Sequence, residues 1–403
     1  MRVIPHPSSG KVKHRLTQEE VHQIALEDLS KHIELKGKGE ESSPQKIWTL
    51  LLGAASKRSS IERESKNNEA APSANTARGV LKDSLELQQT EDGLNGVLRE
   101  HIGGRYWRRP LTMAVDLHEQ PYHGQVLQNE DEIRGGKAKS GTSHFHVYAT
   151  AYVVRNGRRV TLALTYVRAG QSMTDVLDAL ERRLLGAGFR IGLWLADRGF
   201  CSVEALTWFS TRSLAYVPLT VRGKADPPSA SQRLRRLRHS QWARYTMSSA
   251  TAGQIEFDVA VVRRRRERSR QGKFLGSRTL LYCVVGQQMA CGVQGKSVES
   301  VAACYRGRFG IESSYRQLGE GRFKTTSRSP VLRLLAEGIA LVLRNLWVLC
   351  LWLSAAHPGP GRRSLKSDDL TLETILRWIG RVCEDKLAYR TEIVLYAESA
   401  LRF

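Results

Sequence analysis

Residues 144–167 read HFHVYATAYVVRNGRRVTLALTYV. Two runs rich in β-branched and aromatic residues flank Asn156-Gly157. That dipeptide suits a two-residue hairpin turn, in which both central residues take positive φ. Residues 144–154 and 159–167 are therefore expected as antiparallel strands. Upstream, 111–117 (LTMAVDL) is an apolar run holding Asp116, short enough for a buried strand. Downstream, Ser172 can cap an amphipathic helix over 172–185, ended by Gly186 and Gly188. Residues 190–196 (RIGLWLA) make a fourth strand that terminates at Asp197. Ser202 opens a helix to about 212, and 214–219 is a fifth strand.

Three strands joined by hairpin connections, then helix, strand, helix, strand, is the order of the ribonuclease-H-like fold. The expected class is therefore α/β, a mixed sheet flanked by helices. In that layout the first and fourth strands lie side by side at the sheet centre. Their ends would bring Asp116 and Asp197 together across a long stretch of chain. Taken singly, Asp197 could cap the turn that follows its strand, and Asp116 could be a loop acid bonded to backbone.

The flanking sequence reads differently. Thr17 and Glu20 form a capping box, and Leu16 can staple onto Val21, so a helix is expected from there toward Leu35. Ser43-Pro44 starts a second helix, stopped near Gly53. Residues 56–73 are polar and read as a loose connection, and 76–101 carry a helical pattern. Beyond 224 the pattern is β-rich, with strands at 244–249, 254–263 and 277–285 and arginine runs at 233–238 and 263–270. Helix resumes near Val298, and apolar helices follow at 331–356 and 370–387.

Composition narrows the partner. The 403 residues hold 62 Lys+Arg against 40 Asp+Glu, a net charge of +22, which favours a polyanion. The start, MRVIPHPSSGKVKHR, has no apolar core, so no signal peptide is expected. The apolar stretch 338–356 is interrupted by Arg344 and Asn345, which favours a buried core helix over a membrane span. Six cysteines show no zinc-type spacing and read as reduced thiols packed as small apolar groups. A cytoplasmic protein without membrane contact is the expectation.

The chemistry concentrates in YRGRFGIESSYRQLGEGRFK, 305–324. On a helix turning about 100° per residue, Tyr305, Arg308, Glu312, Arg316 and Gly319 fall in an arc of roughly 80°. Cys304, Ile311, Tyr315 and Leu318 form the adjoining apolar face. An ion pair between Arg308 and Glu312 on a solvated helix is the simpler account of the stripe taken alone.

Tyr305, Arg308 and Glu312 have the spacing of a known signature: Tyr, two residues, Arg, three residues, Glu, six residues, Lys. In this the chain resembles the DDE transposases of bacterial insertion sequences, specifically the insertion-sequence-four group. Asp197-Arg198-Gly199-Phe200 matches the Asp-x-Gly-Phe/Tyr context of that group's second acid, and MAVDLHEQPYHG matches its first. The long β-rich stretch before Glu312 also fits. The signature lysine falls on Gly319, with Arg316, Arg322 and Lys324 as nearby cations.

The resemblance implies a division into five parts. These are a helical DNA-binding or regulatory region (1–105), a catalytic core in two parts (106–223 and 298–356), a β-rich insertion (224–297) and a C-terminal helical region (357–403). It also implies metal-dependent hydrolysis at an element end, followed by attack of the freed 3′-hydroxyl, and a homodimer that pairs two ends. Asp116, Asp197 and Glu312 are the implied ligands of two Mg²⁺ or Mn²⁺ ions, with Asp116 bridging. Hard oxygen ligands suit those ions, and two ions can serve the attacking and leaving oxygens of a phosphodiester. Tyr305, Arg308, Arg316 and Lys324 would hold DNA phosphate. Arg222 is well placed to touch DNA and equally readable as a surface cation. Trp242 is a candidate for stacking on a flipped base, and a core tryptophan is an equal reading. Terminal inverted repeats and target DNA are the implied partners, with the protein nucleoid-associated when bound.

A junction resolvase of the same fold would not need the β-rich stretch or the Tyr/Arg/Glu stripe. A DNA-binding relic of a transposase predicts damaged acids, and these are intact. A basic membrane-surface protein lacks a fitting helix.

Overall fold

The computed structural model describes residues 16–37, 39–124, 132–155, 158–221, 229–265, 277–286, 296–308, 319–354 and 370–392. Asn156-Gly157, Arg222, Glu312, Arg316 and the second arginine run beyond 265 lie outside the described residues.

The helices before the sheet are α1 (Gln18–His32), α2 (Pro44–Ser56), α3 (Ile61–Asn67), α4 (Ala74–Ser84), α5 (Leu87–Arg99) and the short α6 (Arg105–Arg108). Strands β1 (Leu111–Pro121), β2 (Arg134–Lys139), β3 (Thr142–Arg155) and β4 (Arg158–Val167) follow. Next come α7 (Met173–Gly186), β5 (Ile191–Leu195), a 3₁₀ turn (Arg198–Phe200), α8 (Val203–Ser210) and β6 (Leu214–Pro218). The β-rich stretch holds α9 (Ala230–Arg235), β7 (Gln241–Ser249), β8 (Gly253–Arg265) and β9 (Ser277–Val285). Then come α10 (Val298–Arg306), α11 (Pro330–Ser354) and α12 (Leu372–Leu387).

Local chemistry explains several of these starts. Thr17 and Glu20 close the capping box on α1, and Ser172 with Asp175 closes another on α7. Pro44 occupies the first turn of α2, where its missing N–H costs nothing. The elements α3, α9 and β2 depart from expectation, and the helical stretch 76–101 divides into α4 and α5. The connection at 56–73 contains α3, whose N-cap Ser60 accepts from the Arg63 N–H. The strand β2 is formed by RGGKAK, which has no apolar alternation to announce it.

One mixed sheet runs β2-β3-β1-β5-β6-β9-β8-β7, and β4 pairs with β3. β3 is antiparallel to β1 and to β4, whereas β1, β5 and β6 are parallel neighbours. The segment β4-β3-β1-β5-β6 therefore has the expected strand order, with the first and fourth expected strands adjacent. The strands of the β-rich stretch do not form a separate sheet: β9 pairs antiparallel to β6 and carries β8 and β7 outward.

Helices from both ends of the chain share one face of this sheet. α2 packs on α12, α5 on α11 and on β4, and their apolar side chains merge with those of β1, β3 and β4. α11 is long and apolar enough to cross a membrane, yet 89% of its apolar window is buried inside the molecule. On the opposite face a smaller core forms from Ala114, Tyr152, Leu195, Tyr216, Ala260 and Tyr282 under α10.

The outer edge of β4 is closed by side chains. Asn95 on α5 accepts from the Leu164 N–H at 2.9 Å and donates to its carbonyl at 2.8 Å. Asn345 on α11 does the same for Thr161, at 3.0 and 2.8 Å, and Glu91 accepts from the Tyr166 N–H at 2.9 Å. A register shift opposite Ala151/Tyr152 turns both Thr161 and Leu164 toward the helices. The polar residue that interrupts the apolar run of α11 thus satisfies backbone groups no further strand serves.

Candidate active site

β1 does not stop at Asp116 but continues to Pro121, because β3 pairs with it along that length. β5 ends earlier, with Met113 opposite Trp194 and Ala114 opposite Leu195. Continuing that register sets Asp116 level with Asp197, just past the last residue of β5. Asp116 projects on the face that carries α10, as does Ala114 two residues before it.

Between the two acids stands Arg308. Its Nη2 lies 3.4 Å from Asp116 Oδ2 and its Nη1 lies 3.3 Å from Asp197 Oδ1. The Arg308 side chain is 9% exposed, Asp116 15% and Asp197 51%. Nη1 also donates to the Tyr305 hydroxyl at 3.3 Å, and Nη2 points at the Val115 carbonyl at 3.5 Å. Nε is buried with no hydrogen-bond partner among the described residues. Tyr305 is buried, and its hydroxyl donates to the Ala196 carbonyl at 3.0 Å, beside Asp197.

The simpler local readings of the two acids are met only in part. Asp197 precedes the 3₁₀ turn but makes no side-chain cap bond to it, and its carboxylate reaches Arg308 instead. Asp116 does accept its neighbour's N–H, from Leu117 at 2.9 Å, but from a strand rather than a loop. Its other oxygen faces Arg308.

A second guanidinium lies behind Asp116. Arg159 on β4 is buried, donates to Thr150 Oγ1 at 2.8 Å and lies over the Tyr152 ring at 3.8 Å. Thr150 is the register partner of Asp116. Burial pushes the Asp116 carboxyl above the usual carboxylate range; Arg308 and Arg159 oppose that shift and the Asp197 carboxylate adds to it. Burial also works against the Arg308 charge, yet Tyr305, Asp116 and Asp197 more than offset it, leaving its pKa above the usual value.

The same strand face continues into a further polar cluster. His118 Nδ1 lies 2.9 Å from Glu337 Oε1, Gln120 donates to Oε2, and Arg322 donates to Oε2 at 3.1 Å. Glu337 is 1% exposed and is the one acid of α11. Despite burial, the His118 and Arg322 contacts hold its carboxyl down at about 2.

The remaining expected residues divide. Tyr305 and Arg308 lie at the acids, but inside the protein rather than on its surface. The regular helix ends at Arg306, with Gly307 as its C-cap, and Gly319 lies in a turn. Lys324 is exposed and bound through its backbone to the α2–α3 turn, its N–H donating to Ser59 O at 2.7 Å. No contact between Lys324 and either acid occurs among the described residues. Trp242 is half-buried at the edge of the smaller core, its indole N–H donating to Lys296 O at 3.2 Å.

Sequence reading missed Arg159 and Glu337. Both had a signal: Asp116, His118 and Gln120 alternate along one strand face, and Glu337 is a single acid in an apolar helix. Polar residues repeated on an otherwise buried face call for buried partners.

A hard divalent cation needs carboxylate oxygens that converge. Asp116 and Asp197 already converge on one cationic group, so the pair fits such an ion. Among the described residues no cluster of three or more His, Cys, Asp or Glu side chains forms a larger ligand set.

No family model matches the chain, and no curated protein matches it. Among solved structures the chain is similar to one described as a cryo-EM structure of piggyBac transposase synaptic complex with hairpin DNA. The identity is 9% and the TM-score 0.47, over 95% of this chain and 84% of that one. A likeness this distant assigns no function to the chain.

Proposed function

We propose that the chain is a DNA transposase of the DDE type, acting by metal-dependent strand hydrolysis and 3′-hydroxyl strand transfer on an insertion sequence. The observation that carries this reading is the meeting of Asp116 and Asp197, distant in sequence, at one guanidinium where β5 ends beside the still-running β1. A carboxylate shifted by burial and set beside a buried cation is a functional-site candidate, and Asp116 is such a group.

In this reading Asp116, Asp197 and Glu312 would hold two Mg²⁺ or Mn²⁺ ions. When bound, such ions supply a nucleophilic hydroxide from water and charge neutralisation at the leaving oxygen. Arg308 orients both aspartates before loading, and Tyr305 fixes Arg308 and the end of β5. Asp116 is raised by burial and drawn down by two arginines, and Arg308 links it to Asp197. The partners are element ends with inverted repeats and target DNA, with two copies of the chain pairing two ends. A catalytically impaired DNA-binding relative is the second reading, favoured by Gly319 where the signature has lysine.

The test is nicking of labelled DNA carrying the flanking element ends, with Mg²⁺, Mn²⁺ or EDTA, for wild type and Glu312→Gln. Metal-dependent nicking at the boundary, lost in the variant while DNA binding persists, supports the enzyme. Tight binding without cleavage under either metal supports the relic.

A further inference from the structure

On the face of the sheet that carries Asp116 and α10, the hairpin β8–β9 continues past the core. Ala260 pairs with Tyr282, Val262 with Leu280 and Arg264 with Arg278. The first two pairs line the smaller core under α10, so alternation puts Arg264 and Arg278 on that same face. Arg263 goes the other way, bound to Leu237 O and Thr279 Oγ1 on the α9 side. At the described start of the second arginine run the strand thus turns Arg263 to α9 and Arg264 to the α10 face.

The Arg264–Arg278 pair is a cross-strand pair of like charge, an arrangement that costs stability. Neither residue, nor the exposed Arg306 at the end of α10, has a carboxylate partner among the described residues. The contrast is Arg244 on the neighbouring β7, which faces Asp258 at 2.8 Å and Glu256 at 3.6 Å on β8. Burial raises the Tyr282 hydroxyl, and the fields of Arg264, Arg278 and Arg306 all oppose it, so the three cations act on one neighbourhood. That ring lies 4.9 Å from the Tyr305 ring, whose hydroxyl contacts Arg308. Pro218, the last residue of β6, pairs with Tyr282, so Arg278 projects beyond the carboxyl edge where Asp197 sits. Four residues of strand separate Tyr282 from Arg278, roughly 13 Å.

We infer that Arg264, Arg278 and Arg306 form a phosphodiester track that leads a DNA strand along the α10 face toward Asp116 and Asp197. The inference rests on the nuclease reading above and names the path of its substrate. Phosphates would relieve the like-charge pair, so the hairpin is less stable alone than it is loaded.

The experiment measures fluorescence anisotropy of a short labelled DNA duplex across a salt series, alongside thermal melting. Wild type, Arg264→Gln/Arg278→Gln, Arg306→Gln and Arg244→Gln are compared. The double variant is expected to lose affinity, with the log–log salt slope shallower by about 2, and the Arg306 variant by about 1. Arg244→Gln should leave the slope unchanged. The double variant should melt at or above the wild-type temperature, because a repulsive pair has been removed. An unchanged slope in a wild type that binds DNA overturns the track and leaves the nuclease reading standing. A double variant that melts lower also overturns it, since its arginines would then be structural. A wild type that does not bind DNA overturns both.

Discussion

Arg308 Nη2 stands 3.4 Å from Asp116 Oδ2, and both side chains are largely withdrawn from water. A buried pair of this kind is hard to break from one side, because the surviving charge is left uncompensated. Arg308→Met should therefore destabilise the fold by about 3 kcal/mol, and Arg308→Met/Asp116→Asn should recover most of that. Urea unfolding of the two singles and the double closes the cycle. Additive single effects would show that the contact carries no coupling.

The amide of Asn345 makes three hydrogen bonds, to Thr161 N, Thr161 O and Leu98 O. Asn345→Leu fills the space but orphans backbone groups at a covered strand edge. A loss of about 2–4 kcal/mol is expected, measured by denaturant unfolding. A shift near zero would mean that water serves Thr161 equally well.

His22 and His146 are fully buried, and burial holds each neutral with a pKa of about 4, helped by the charges of Lys386 and Arg333 respectively. The folded value lies below the unfolded one near 6.5, so the unfolded chain takes the proton first. Stability from these residues is complete above pH 6.5 and is lost as pH falls toward 4, by about 3 kcal/mol each. Both ring nitrogens of His22 lack partners among the described residues, so His22→Leu should be neutral or stabilising at pH 7 and flatten the acid limb. Stability profiles of wild type and variant that run parallel between pH 7 and 5 would refute this.

Cys201 lies 4.0 Å from Cys283, and its thiol is pulled down to about 6, first by that contact and also by the Thr220 N–H. Burial pushes Cys283, Cys350 and Cys383 the other way. Peptide mapping after brief iodoacetamide treatment at pH 7 should find Cys201 alkylated before those three. Equal labelling would contradict the thiolate assignment.

Much of this fold could be read from residues that act locally. The capping boxes at Thr17 and Ser172 and the alternating strands around the sheet centre depend on near neighbours only, and the structure has them. The helix α3 and strand β2 were not legible, because IERESKN and RGGKAK carry no period and are held by tertiary packing. At the site, the acids stood out as charged residues next to apolar strands. Arg308 stood out too, as a phosphate-holding cation, but its place between the acids did not, since that follows from β5 ending opposite Ala114 while β1 runs on. Nor could a sequence separate Arg263 from Arg264; only the strand's pleat sends one to α9 and the other toward α10.

The central claim is that Asp116 and Asp197 belong to one divalent-metal centre. Calorimetric titration of the protein with Mn²⁺, for wild type, Asp116→Asn and Asp197→Asn, tests it most directly. Saturable binding in wild type that is lost or weakened at least tenfold in each variant is the predicted result. Absence of binding in wild type, or binding that both variants retain unchanged, would contradict it.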